Sequence, residues 1–303
     1  MDRDDYLMLA ALAGIWGASF YFIKVAIHDI PPVAMVFLRT LSAALALAVY
    51  ISVTRVSWRQ TARLWKPGLV IALLNAAVPY VLIASGERYI DSSLAGILNA
   101  TAPLWTALLA PLFAEAEQLH PRQGIGLAMG FVGVVILAHP TGSLLNSNFL
   151  GVLAVIGATL AYAIATHYSK RHFQDVPPQV PAFLQCALAA VLLAPLLLVS
   201  HPAHVPGLGA VAATLWLGVG ATGLAMVLSF RLIQRVGAGR TIVVTYLIPP
   251  MALLWGFFLL HERPAPAVFV ALALILGGVF FITRRRTAIP AGPNPDGARV
   301  VKA

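Results

Sequence analysis

The sequence predicts an all-α integral membrane protein of ten transmembrane helices, arranged as two inverted five-helix repeats. Three observations carry this. Hydrophobic residues make up 60% of the 303-residue chain and charged residues only 10%, against roughly 25% charged in an average soluble domain. The apolar residues gather into ten runs of membrane-crossing length. A set of polar and proline positions then recurs at an offset of about 146 residues.

The runs cover about 7–27, 33–53, 67–86, 92–112, 122–139, 148–169, 178–200, 208–230, 241–260 and 265–283. Each approaches the roughly 20 residues that a helix needs to cross the hydrocarbon core. The first follows Met1-Asp2-Arg3-Asp4-Asp5. A cleaved signal peptide has a basic start and a shorter apolar core, so this run reads as a retained first span. Pro and Gly recur within the runs, as membrane helices tolerate.

Charge sidedness orients the spans. Sixteen Lys and Arg residues fall on one side, including Arg55, Arg59, Arg63 and Lys66, while Arg88 and Arg263 fall on the other. The positive-inside rule puts the rich side, and with it both termini, in the cytoplasm. The formal net charge of +9 therefore serves membrane orientation, and no nucleic-acid partner is expected. Membrane lipids are the expected surroundings.

The repeat matches Lys24 to Lys170, Asp29-Ile30-Pro31-Pro32 to Asp175-Val176-Pro177-Pro178, and Pro103 to Pro249. After a one-residue slip, Glu117 matches Glu262 and Gly133 matches Gly278. The units are 1–145 and 146–285, followed by a polar tail over 286–303 that is expected to be disordered. Five spans per unit is an odd number, so the second unit enters the membrane from the opposite side. Inverted repeats of this kind are a signature of transporters.

Several segments resemble the drug/metabolite transporter superfamily in its ten-span EamA branch. They are GIWGASFYFIKVAI at 14–27, PPVAMVFLRTLSAALAL at 31–47, SLAGILNATAPLWTALLAPLF at 93–113 and GLAMGFVGVVIL at 126–137, with echoes TYLIPPMALLWGFFLLHE and LALILGGVFFI in the last two spans. The resemblance implies that spans 1–4 and 6–9 surround a central substrate cavity, with spans 5 and 10 packed outside. It also implies a bacterial inner-membrane exporter of metabolites, often amino acids, and the chain looks most like the aromatic amino-acid exporter group.

A substrate site is expected near the midplane, where polar side chains are costly. The candidates are Trp16 and Ser19 in span 1, Asn75 and Tyr80 in span 3, and Asn99 and Trp105 in span 4. Tyr162 in span 6 and Tyr246 in span 9 complete the set. Trp16 and Tyr162 are repeat mates, two aromatics that could wall a cavity. Asn99 offers both donors and an acceptor to an amino or carboxylate group. Pro79, between Asn75 and Tyr80, can kink its helix and free carbonyls. The structural alternatives are interfacial belts for aromatics and backbone bonding for Ser and Thr.

Arg39 lies about two turns into span 2 and its repeat mate is Gln185. One reading has it snorkel to the headgroups, as is expected of Lys24 and Lys170. The other makes it an outer gate that pairs with a carboxylate: a substrate's, Glu87's or Asp91's. Gly126, Gly130, Gly133, Gly277 and Gly278 predict close helix packing without chemistry.

The eleven acidic residues all fall in tails, loops or span ends. The small four-span multidrug relatives carry a glutamate in their first span, and this chain has none there. Facilitated passage is therefore expected rather than proton-coupled drug extrusion, with His167 as a group that could titrate. No phosphate-cradling motif is present. Cys186 is the one cysteine, and the eight histidines form no ligand pair, so neither cofactor nor metal is expected and the chain does not read as an enzyme. A nucleotide-sugar or sugar-phosphate carrier would want more cations facing the cavity than Lys24, Lys170 and Arg39. A channel would want a continuous polar stripe.

Overall fold

The computed structural model of the chain describes residues 2–113, 121–138 and 147–283. Glu117, the carboxy tail from Arg284 and the stretch with His139 lie outside the described residues. Among the described residues every regular element is helical. The long segments are α1 (Arg3–Ala26), α2 (Pro32–Val53), α3 (Trp65–Gly86), α4 (Ser92–Phe113) and α5 (Pro121–Ala138). They continue as α6 (Ser147–His172), α7 (Gln179–Leu198), α8 (Leu208–Val236), α9 (Val243–Leu259) and α10 (Pro266–Thr283).

Nine of these helices are long and apolar enough to cross a membrane. The shorter one is α9, with 17 residues and Pro249 and Pro250 inside it, about 25 Å of helix at 1.5 Å per residue. Helix ends overrun the apolar runs where a charge finds a partner. α8 continues past Arg231 because Arg235 reaches Asp5 of α1, Nε to Oδ1 at 2.7 Å. Outward-facing positions such as Leu45, Val49, Leu112, Val135 and Phe258 are exposed. In water such a surface would aggregate; against acyl chains it is satisfied.

Helix pairing follows the repeat. α1 packs on α8 and α9, while α6 packs on α3 and α4. α2 packs on α8, and α7 on α3. Three pairs, α2–α7, α4–α9 and α5–α10, map onto themselves when spans n and n+5 are exchanged. The strongest pairings thus obey a pseudo-two-fold axis. α5 and α10 pack through the glycines that the sequence singled out: a Cβ on Gly126 would lie 2.7 Å from the Gly278 carbonyl, and one on Gly133 2.9 Å from that of Ala271. These glycines serve contact between the two halves of one chain.

The same symmetry appears in the backbone. α3 contains a π-helical turn at Leu73–Ala77 and α8 one at Trp216–Leu224. The repeat offset lays 73–77 on 219–223, inside the second turn. α4 is interrupted between Asn99 and Ala102, just before Pro103. A π-turn or a break leaves carbonyls without their usual helical donors, which a membrane tolerates only where protein or polar groups meet them.

Candidate functional site

The described residues place one buried cation among aromatic and hydroxyl groups. Arg39 is 7% exposed; it does not snorkel. The Nε group donates to Thr222 Oγ1 at 3.2 Å, and the guanidinium carbon stands 3.9 Å from the centroid of the Tyr80 ring. No carboxylate hydrogen-bonds to it among the described residues. Cation–π contact and a hydroxyl partly replace water, but they leave several of the five guanidinium donors unused.

The wide turn in α8 makes this contact possible. Thr222 donates its hydroxyl to the Leu217 carbonyl at 2.8 Å, five residues back, and accepts from Arg39 with the same oxygen. In the next position along, the Ala221 carbonyl accepts from Trp16 Nε1 at 3.1 Å. Trp16 of α1, Arg39 of α2 and Tyr80 of α3 therefore converge on one turn of α8. Tyr162 of α6 lies within electrostatic reach of both Tyr80 and Arg39.

A second polar crosslink is the repeat image of the first. Gln185 of α7, the mate of Arg39, accepts from Asn75 Nδ2 at 2.6 Å, inside the π-turn of α3. The Gln185 amide turns to Met226 Sδ at 3.8 Å. One crosslink is charged and the other neutral.

Four other predicted residues sit elsewhere or serve other ends. Ser19 donates to its own helix at Ile15 O, 3.2 Å away. Tyr246 bonds Thr283 of α10, so it faces α10. Trp105 packs edge-on to Phe131 of α5, ring centroids 4.8 Å apart, and its Nε1 is buried without a partner. Asn99 sits at the break in α4 with Oδ1 buried and unpartnered. Beside it, Thr101 donates to Thr159 Oγ1 of α6 at 3.3 Å, one turn before Tyr162. The structure thus gathers Trp16, Arg39, Tyr80 and Tyr162 with Thr222, and pairs Asn75 with Gln185 in the second crosslink. It sets Trp105 and Tyr246 apart, against the α5–α10 pair.

The sequence reading missed three residues. Lys24 is expected at the headgroups, yet its ammonium donates to the carbonyls of Glu87 and Ile90, at 2.5 and 2.9 Å. It caps the end of α3, because orphan carbonyls inside a bundle have no water to take. Glu262 accepts from the Ser92 and Ser93 backbone N–H groups, at 2.8 and 3.0 Å, and from the Ser93 hydroxyl, so it caps α4 from the other half of the chain. Glu87, at the end of α3, has no exposed surface. Only their place at span ends is visible in sequence. His167 is buried, with Nε2 donating to Thr106 O at 2.9 Å and its ring stacked on Phe113.

Apolar helices of crossing length, two symmetry-related halves and a buried polar cluster joining them point to a membrane transporter. The chain matches the EamA-like transporter family twice, over residues 5–138 and 149–284. It belongs to that family, a branch of the drug/metabolite transporter superfamily. An uncharacterized transporter of Archaeoglobus fulgidus is 26% identical over 282 residues, covering 93% of this chain and 99% of its own. The uncharacterized inner membrane transporter YedA of Escherichia coli is 24% identical, covering 94% and 92%. The uncharacterized transporter YoaV of Bacillus subtilis is 25% identical, covering 89% and 93%. A solved crystal structure aligns over 93% of this chain and 98% of its own at TM-score 0.66 and 20% identity, which supports the fold.

Proposed function

We propose that this transporter carries small metabolites bearing a carboxylate, with aromatic or hydrophobic amino acids the favoured class, outward across a bacterial plasma membrane. The observation that carries the reading is Arg39: a cation inside the bundle whose partners are a hydroxyl and a ring. A carboxylate is the ligand that such a guanidinium lacks, and it can be held by two parallel N–H donors. Tyr80, Tyr162 and Trp16 supply flat apolar walls for a hydrophobic side chain. Asn99 Oδ1 is buried with no partner and can accept from an ammonium.

In this reading α9 is the ninth of ten spans, both termini are cytoplasmic, and the units 1–145 and 146–285 rock about the cluster between them. The two crosslinks, Arg39–Thr222 and Asn75–Gln185, are the contacts that such rocking would exchange. A single buried cation favours a monoanion over a phosphate, which sets the sugar-phosphate reading second.

The test is uptake into proteoliposomes of labelled tryptophan, phenylalanine, threonine and a sugar phosphate, side by side. Saturable amino-acid uptake that is lost in Arg39→Gln, with the variant present at wild-type level in the vesicles, supports the reading. Uptake of the sugar phosphate alone rejects it, as does full transport by Arg39→Gln.

A further inference from the structure

The cluster around Arg39 does not account for Glu87. This residue ends α3, has no exposed surface, and neither carboxyl oxygen has a hydrogen-bond partner. An ionised carboxylate in that state would be among the most expensive groups in the molecule. It escapes the cost by taking a proton or by pairing with a cation.

The groups that face it limit the choice. From α1 comes Lys24, but its ammonium is spent on the carbonyls of Glu87 and Ile90. From α2 comes Arg39, within electrostatic range but bonded to Thr222 and stacked on Tyr80. From the segment after α9 comes Glu262, a like charge that is itself occupied with the start of α4. The face of α6 that meets the neighbouring Gly86 presents Gly151, Ala154 and Val155, none of which titrates. Burial pushes the Glu87 carboxyl well above the ordinary carboxylate range; Lys24 and Arg39 oppose that rise and Glu262 adds to it.

A route for the proton begins nearby. A recess of about 680 Å³ is lined by Lys24, His28, Asp29, Glu87 and Arg88 together with Gly207 and neighbouring residues of α8. The recess reaches the residue but not its carboxyl oxygens, which have no exposed surface, so protonation requires a local opening. Arg39 stacks on Tyr80, which precedes Glu87 by seven residues on α3, about 10 Å along the helix.

We propose that Glu87 is a proton-binding site coupled through Arg39 to the substrate chamber, so that the transporter takes up a proton when a carboxylate docks. This rests on the substrate reading above for the identity of the anion, though not for the proton site itself. The step is a simple transfer: a proton from water in the recess forms an Oε–H bond on Glu87 as the incoming carboxylate neutralises Arg39. Cancelling that cation removes one of the two charges that favour an ionised Glu87. By linkage, anion and proton each strengthen the binding of the other. Substrate and proton then cross in the same direction, so outward flux requires a substrate gradient that exceeds the opposing proton gradient.

Infrared spectroscopy of the protein in lipid vesicles tests the site without any substrate. The carbonyl stretch of a protonated carboxylic acid should be present in the wild type at neutral pH, fade as pH rises, and be missing from Glu87→Gln. Glu87→Met serves as a second control should the first fold poorly. In Arg39→Gln the same band should persist to higher pH, because a positive charge that favoured ionisation is gone. A wild type without the band at neutral pH, or a band retained in both Glu87 variants, overturns the site. An unmoved titration in Arg39→Gln overturns the coupling. In proteoliposomes, phenylalanine uptake by the wild type should fall through the same pH range while that of Glu87→Gln stays level. Uptake that is flat in the wild type overturns the cotransport and leaves the substrate reading standing. No phenylalanine uptake at all, with the band and its Arg39→Gln shift intact, rejects the substrate reading and keeps the site.

Discussion

Glu262 shows what one side chain does for a helix end inside a bundle. The first N–H groups of any helix lack intrahelical acceptors, and at the start of α4 the acceptor arrives from 170 residues away in sequence. The carboxylate also meets the positive end of the helix dipole. Replacing it with alanine strands the two backbone donors and the Ser93 hydroxyl. We expect Glu262→Ala to lower stability by about 1–3 kcal/mol, the cost of unmade buried hydrogen bonds. Glu262→Gln keeps an acceptor and should lose less. Thermal unfolding in detergent distinguishes them, and an unchanged midpoint for the alanine variant would refute the cap. Lys24 plays the converse part at the end of α3. The sequence places both residues at span ends and pairs each with a repeat mate. It does not reveal that they hold helices, since lysine at a span end reads equally well as snorkelling.

At the scale of elements, the π-turns of α3 and α8 decide where the polar crosslinks fall. A π-turn widens the helix and shifts the face that follows it, which carries Thr222 toward α2. Gly218 makes the approach possible: a Cβ there would overlap Ser42 and lie 2.5 Å from the Arg39 carbonyl. Gly218→Ala must therefore push α8 away from α2 and stretch the Arg39–Thr222 bond. Overpacking of this kind costs roughly 1–3 kcal/mol. The expected outcome is a lower unfolding temperature together with impaired transport. A fully active, equally stable Gly218→Ala would show that α2 and α8 do not rely on this contact. The glycines are legible in the sequence as a packing pattern. The π-turns are not: Leu73–Ala77 carries ordinary helix-compatible residues, the three glycines of Trp216–Leu224 read equally well as packing positions, and only the surrounding contacts select the wider turn.

Across the whole molecule, most strong pairings join the two halves: α1 with α8 and α9, α2 with α7 and α8, α3 with α6 and α7, α4 with α6 and α9, α5 with α10. A half alone would present unsatisfied crosslinks and glycine-lined grooves to lipid. We expect residues 1–146 or 147–303 expressed alone to be degraded, and the two co-expressed to recover a stable membrane complex. Immunoblots of membrane fractions decide this. Accumulation of one half by itself would mean that the halves fold independently.

The sequence by itself determined the apolar surroundings of this protein, its long hydrophobic segments and the duplication behind them. Hydropathy and charge sidedness belong to each segment alone, and the repeat survives as spacing. It also supplied Trp16, Arg39, Asn75, Tyr80 and Tyr162 as costly residues to bury. The tertiary structure decided which of them meet. Arg39 finds Thr222 across 183 residues, whereas Tyr246 turns to α10. It also revealed Glu87, an acid at the edge of a span with no surface and no partner. Helix rotation and close packing set those outcomes, and they depend on every neighbour at once.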